Sequence, residues 1–210
     1  MLYSHIAIEG NIGSGKTTLA TMLANDMDAR LVLEQFADNP FLPKFYSDPE
    51  KHAFPLELFF MAERYHQLKN LKEQDLFKPQ IVSDYFFVKS KLFAQNNLKK
   101  DEMQLFNRLF DIMLSSLSKP DLLVYLYSDV ERLQQNIKNR GRDFEQNISQ
   151  TGVQQTYFNL VKAGIIGTLT EGQFDYELEN DKADIKYVQI YIARFSYRET
   201  YIGLAIKWRN

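Results

Sequence analysis

Eight consecutive residues, Gly10 to Thr17, read GNIGSGKT and fill every fixed position of the pattern G-x-x-x-x-G-K-[ST]. Gly10, Gly13 and Gly15 let backbone N–H groups turn inward around phosphate oxygens, because no Cβ stands in the way. The start of the helix that follows adds partial positive charge. Lys16 brings a mobile cation to the β- and γ-phosphates, and Thr17 offers its hydroxyl to Mg²⁺. Asn11, Ile12, Ser14 and Thr18 complete the stretch expected to line a nucleotide's phosphates. The structural alternative is a Gly-rich turn joining a strand to a helix. The match at both flanks argues against it, and binding of ATP or GTP is expected.

Two carboxylates follow candidate strands, where side chains project toward such a loop. Glu34, at the end of LVLE, is ionised at neutral pH and can accept a proton from an attacking hydroxyl. A solvated glutamate at a strand end is the alternative. Asp84, in VSDY, stands where an acid holds Mg²⁺ directly or through water. It would otherwise serve as N-cap for a helix starting near Tyr85. Arg140 and Arg142, in NRGRDFEQ, place two guanidiniums around the hinge-capable Gly141. As a lid they would neutralise the transferring phosphoryl group. Otherwise they form an exposed helix end paired weakly with Asp143 and Glu145. Glu57 and Arg64 are seven residues apart, so they share a helix face and could both point into a slot for a flat base. The simpler reading of that pair is a charged, solvated face.

The elements that must position these groups alternate. Strands are expected at Ser4–Glu9, Leu31–Leu33, Gln80–Ser83 and Leu122–Tyr127, the last being LLVYLY. Helices are expected at Thr17–Ala29, Phe54–Leu71 with Pro55 in its first turn, Phe87–Asn97, Asp101–Leu117 and Val130–Asn139. Gln35 to Asp48 reads as loop, with Pro40 and Pro43 as breakers. Toward the C-terminus a closing helix is expected at Lys182–Ala193 and a strand near Tyr201–Ile206. This alternation signifies an α/β fold with a parallel sheet covered on both faces.

Composition narrows the field. The 210 residues suit a single domain spanning the chain, and 45% hydrophobic content suffices for a core. With 25 Lys plus Arg against 27 Asp plus Glu, the net charge of -2 argues against a nucleic-acid partner. No cysteine is present, which excludes disulfides, Cys-ligated zinc, iron–sulfur clusters and a thiol nucleophile. No apolar run of about 18 residues marks a membrane span, and no leader pattern precedes the loop, so the expected location is cytoplasmic. Aromatic residues, 14% of the chain, cluster at Phe54–Tyr65 and Tyr85–Phe93 and read mainly as core. No guanine-reading N-K-x-D sequence occurs, and the chain's modest size and helix-rich build suit a small-molecule kinase.

Taken in order, EGNIGSGKTT at Glu9–Thr18, the glutamate of VLEQF, YSDPEK at Tyr46–Lys51, LFAQNNL at Leu92–Leu98 and RGRDFEQ at Arg140–Gln146 resemble the deoxynucleoside kinase family. The resemblance runs from about Ile6 to Phe158. It implies a P-loop kinase fold with a five-stranded parallel sheet flanked by helices, an arginine-bearing lid, and a homodimer formed through a helix pair. It implies ATP and Mg²⁺ as cofactors and a small-molecule nucleoside substrate. Glu34 would take the proton of the nucleoside 5′-hydroxyl, and Tyr46 and Glu145 would hold the sugar 3′-hydroxyl. Arg140 and Arg142 would be lid arginines, Arg64 would lie near the base pocket, and Phe93 would pack against the nucleobase.

Three departures matter. Where the family carries an acid–Arg–Ser sequence, this chain reads Asp84-Tyr85-Phe86, so a replacement cation must come from elsewhere, Lys89 or Lys91 being at hand. Glu57 stands where the family has a base-reading glutamine; an ionised carboxylate only accepts hydrogen bonds and so favours guanine's N–H edge. The segment beyond Gly164 does not show the family's closing strand clearly. The leading expectation is ATP-dependent phosphorylation of a deoxynucleoside 5′-hydroxyl, with a purine base. The alternatives are a nucleoside monophosphate kinase and an ATP-binding relative without catalysis.

Overall fold

The computed structural model describes residues 3–35, 39–69, 71, 80–128 and 130–141, together with the backbone of three strands beyond them. Strand β1 (His5–Gly10) leads into the glycine loop and helix α1 (Lys16–Asp26). Then come β2 (Arg30–Val32), α2 (Leu42–Ser47), α3 (Pro49–Lys69), β3 (Ile81–Ser83), α4 (Lys89–Asn97), α5 (Lys100–Ser116), β4 (Leu122–Tyr127) and α6 (Val130–Arg140). The remaining strands are β5 (Phe174–Tyr176), β6 (Tyr187–Tyr197) and β7 (Glu199–Arg209).

The parallel sheet flanked by helices is present: among the described residues β2, β3, β1, β4 and β7 run parallel, and two further strands extend the sheet to seven in the order β2-β3-β1-β4-β7-β6-β5. From β2 to β7 neighbouring strands run parallel, whereas β6 and β5 add antiparallel at the far edge. The expected closing helix Lys182–Ala193 is overturned from Tyr187 onward, where β6 pairs with β7 along its whole length. The sequence YVQIYIARFSY explains this, being rich in β-branched and aromatic residues with Val188, Ile190 and Ile192 alternating.

Two other boundaries shift. Part of the expected loop Gln35–Asp48 is helical, because Pro43 falls in the first turn of α2, where a missing N–H costs nothing. Helix α3 begins at Pro49, so Pro55 lies inside it instead of opening it. The carboxylate Oδ1 of Asp48 accepts from Lys51 N at 3.3 Å and satisfies one donor of that earlier start.

Period-two alternation gives the sheet two buried faces. Ala7, Leu123 and Tyr125 face α3, α4 and α5 in a cluster with Met61, Phe87 and Phe110. Ile6, Ile8, Leu122, Val124 and Leu126 face α1 with Ala20 and Ala24. Phe87 and Phe110 stack at 5.1 Å, locking the segment before α4 onto α5. That cluster fixes how α3 and α4 lie beside the carboxyl ends of β2 and β3. Phe110→Ala should cost about 3–5 kcal/mol of stability, read as a lower urea midpoint with an unchanged slope.

Candidate active site

The glycine loop is held by its neighbours. Gly10, Gly13 and Gly15 have φ of 154°, 78° and 90°, values that L side chains rarely adopt. A Cβ on Gly13 would lie 2.7 Å from the carbonyl oxygen of Leu133, so α6 packs directly against the loop. Asn136 Nδ2 donates to Gly13 O at 2.7 Å, and Ile12 packs on Leu133 and Ile137. At the start of the loop, Glu9 is buried and accepts from Gly10 N at 3.2 Å and Phe86 N at 2.9 Å. Lys16 Nζ reaches back to Asn11 O at 2.9 Å. Burial and the nearby Lys89 bring the Lys16 ammonium down to about 8, and a phosphate anion beside it would raise that value again. Ser14 Oγ and Asn11 Oδ1 are buried in the same loop without hydrogen-bond partners.

Asp84 connects this loop to β2. Its Oδ2 accepts from Thr17 Oγ1 at 2.7 Å, and its Oδ1 accepts from Glu34 N at 2.7 Å. The N-cap reading of Asp84 fails, because α4 starts at Lys89 and its N-cap position is Val88. A hydroxyl and a carboxylate side by side are hard oxygen donors, a set that fits Mg²⁺, which takes one or two carboxylates and completes its shell with phosphates and water.

Glu34 stands at the centre of an ion cluster. Arg64 gives it Nε at 2.9 Å and Nη2 at 2.5 Å, both to Oε1, and Lys89 gives Nζ to Oε2 at 3.0 Å. The third guanidinium nitrogen of Arg64 donates to Ser90 Oγ at 2.8 Å. Burial opposes charge on Glu34, but Lys89 and Arg64 outweigh it and hold the carboxyl well below the usual carboxylate range. Burial likewise opposes the Lys89 charge, yet Glu34 and Glu9 raise its pKa. Of the two lysines offered by the sequence, Lys89 joins the site, whereas Lys91 Nζ lies 5.3 Å from the Phe110 ring centroid. Tyr85 is wholly buried, and its hydroxyl donates to Gln67 Oε1 at 2.6 Å. Gln67 Nε2 donates in turn to Leu33 O at 3.2 Å, so Tyr85 braces the backbone just before Glu34.

The remaining candidates scatter. Glu57 is 2% exposed and pairs with Asn97 Nδ2 at 2.6 Å, which replaces the solvated-face reading of that residue. Arg64 is also buried, with its guanidinium carbon 5.1 Å from the Phe60 ring centroid. Phe93 lies under Lys89 Nζ at 5.7 Å from its ring centroid. Tyr46 is 42% exposed on α2, edge-on to Phe45. Thr18 is exposed on α1, and Arg140 is exposed at the end of α6. Arg142 and Glu145 lie outside the described residues. Sequence reading missed Ser90, Gln67, Asn97 and Asn136, all ordinary polar residues on helices whose partners come from other elements.

Among known proteins, the family model described as deoxynucleoside kinase matches residues 6–161. The deoxyguanosine kinase of Bacillus subtilis (strain 168) is 36% identical over 151 residues, covering 71% of this chain and 73% of that one. The deoxyadenosine/deoxycytidine kinase of the same organism is 29% identical over 90% of this chain and 92% of its own. A solved deoxyadenosine kinase from M. mycoides, with products dCMP and a flexible dCDP bound, superposes with a TM-score of 0.67 at 22% identity. The overlap covers 77% of this chain and 85% of that one, a likeness of fold.

The loop geometry predicts a ranking. Gly13→Ala, strained in φ and pressed against Leu133 O, should lose more stability than Gly15→Ala, whose Cβ meets nothing within 4 Å. The backbone strain alone is on the order of 1–3 kcal/mol in each, and urea unfolding of the two variants reads the difference.

Proposed function

The chain belongs to the deoxynucleoside kinase family, and from that premise we propose that it transfers the γ-phosphoryl of ATP to the 5′-hydroxyl of a purine deoxynucleoside. Use of ATP follows from membership of a kinase family. The purine reading is supported by relatives named as deoxyguanosine and deoxyadenosine kinases.

One observation carries the mechanism: Glu34 is charged, gripped from two sides, and linked through Asp84 to Thr17 of the phosphate loop. The Arg64 fork occupies Oε1, which leaves Oε2 to accept the hydroxyl proton once Lys89 turns to the incoming phosphates. A carboxylate of low basicity suits this work, because the transition state is loose and the hydroxyl loses its proton late. Its first task is to orient the hydroxyl. Lys16 and Lys89 then stabilise charge on the transferring group, with Arg140 and Arg142 closing over it as a lid. Thr17 and Asp84 would hold Mg²⁺, which when bound screens the phosphate charges. Tyr46 and Glu145 hold the sugar, and Phe93 flanks the base.

The proposed assembly is a homodimer. Leu105 and Ile112, 49% and 68% exposed and seven residues apart on α5, give the helix an apolar stripe for a second copy. Ile112→Glu should convert the dimer to a monomer in sedimentation velocity.

The mechanism is tested by Glu34→Gln and Lys89→Met. Each should lower kcat by about 10²-fold or more while ATP affinity stays within a few-fold of the parent. Parent-like turnover in Glu34→Gln would remove the proton acceptor from this account.

A further inference from the structure

The peptide group between Leu33 and Glu34 is gripped at both ends. Asp84 Oδ1 accepts from Glu34 N at 2.7 Å, and Gln67 Nε2 on α3 donates to Leu33 O at 3.2 Å. Gln67 is in turn held by Tyr85, whose hydroxyl donates to Gln67 Oε1 at 2.6 Å. Both grips therefore trace to consecutive residues, Asp84 and Tyr85. In a planar trans peptide the C=O and N–H point opposite ways, so holding both fixes the rotation of the plane.

Tyr85 is pinned at its backbone as well. Ser83 Oγ donates to Tyr85 O at 2.9 Å, and His5 Nε2 lies 3.0 Å from Ser83 Oγ. A serine hydroxyl carries one proton. With that proton on Tyr85 O, His5 must be the donor, which assigns its ring the Nε2–H tautomer. Burial lowers the His5 imidazole to about 4, with Asp121 opposing, so the ring is neutral near pH 7. Donors then run one way, from His5 at the start of β1 through Ser83 to the Tyr85 carbonyl, and from the Tyr85 hydroxyl through Gln67 to Leu33. Ser83 and Tyr85 are fully buried, which keeps water from competing for their bonds.

We propose that Tyr85 and Gln67 are positioning residues for phosphoryl transfer: by holding the Leu33 carbonyl they set the direction in which the Glu34 side chain leaves the backbone. This rests on the kinase reading above. Arg64 and Lys89 hold only the carboxylate end of Glu34 and keep it ionised. Rotation of the Leu33–Glu34 peptide moves the Cα–Cβ bond, and the carboxylate at its tip moves with it. Asp84, the grip on the N–H side, is shared with Thr17 of the phosphate loop, whereas the grip on the carbonyl comes from outside that loop. A misplacement of about 1 Å costs on the order of 10²-fold in rate.

Steady-state kinetics with ATP and deoxyguanosine or deoxyadenosine, alongside urea unfolding, test the assignment. Tyr85→Phe and Gln67→Met should each lower kcat by about 10- to 100-fold, while KM for ATP stays within about two-fold of the parent. The double variant separates positioning from a merely structural strut. Removing both partners leaves neither a buried donor nor a buried acceptor unpaired between them, so stability should return toward the parent. Its kcat should stay low, no worse than the weaker single variant, because Leu33 O still lacks its donor. Recovery of kcat along with stability, or parent-like kcat in Tyr85→Phe, overturns the inference and leaves the kinase reading intact. A crystal structure of the double variant gives a readout independent of turnover. The Leu33–Glu34 peptide should be rotated and the Glu34 carboxylate displaced from its place beside Lys89; an unmoved peptide overturns the inference. If the parent phosphorylates neither nucleoside, the kinase reading falls, and the positioning role falls with it.

Discussion

The grip of Arg64 and Lys89 on Glu34 is the interaction on which the site depends. A carboxylate drawn out of water carries a large desolvation cost, and a single imperfect partner would leave it protonated. Here two cations approach different oxygens, from α3 and from the start of α4, and keep it ionised. The arrangement is conditional on the helices. If α3 or α4 moved by a turn, one cation would be lost and the buried charge would become a liability. The packing of Met61, Leu92 and Phe106 around the same helices therefore determines the charge state of a residue that none of them is required to touch.

The second constraint is registration between the phosphate loop and that carboxylate. Asp84 bonds to Thr17 and to the Glu34 backbone, and Glu9 bonds to Gly10 and to Phe86. These two acids tie the ends of β1, β2 and β3 into one unit. The phosphate loop and the Glu34 carboxylate are thereby held in fixed register with each other. Tyr85 fits the same logic. It is a buried strut, and a cation reaches Glu34 from Lys89, the first residue of α4.

The expected closing helix gave way to β6, which with β5 extends the sheet antiparallel beyond its five parallel strands. From Tyr187 on, the density of Tyr, Val and Ile favours an extended backbone. The neighbouring segment Glu199–Arg209 provides a strand of matching length to pair with. Prolines misled in a related way. Pro43 and Pro55 each restrict the chain, yet whether they break a helix or sit within one depends on whether the residues before them already have bonding partners.

Local order was enough to determine the phosphate loop. Three glycines, a lysine and two hydroxyls in eight residues can do little else between a strand and a helix, and Glu34 and Asp84 stand out by type and position, whereas Glu57 and Arg64 read more simply as a charged, solvated face. The pairing of these residues was not legible. Asn97 with Glu57, Lys89 in preference to Lys91, and Asn136 with Gly13 O join residues distant in the chain, and ordinary polar side chains carry no mark of their partners. Charge was undetermined for the same reason. An isolated glutamate is an ordinary acid, and only the surroundings made by folding ionise Glu34 firmly while pushing Glu57 up to about 7, because desolvation and neighbouring charge are properties of packing in three dimensions.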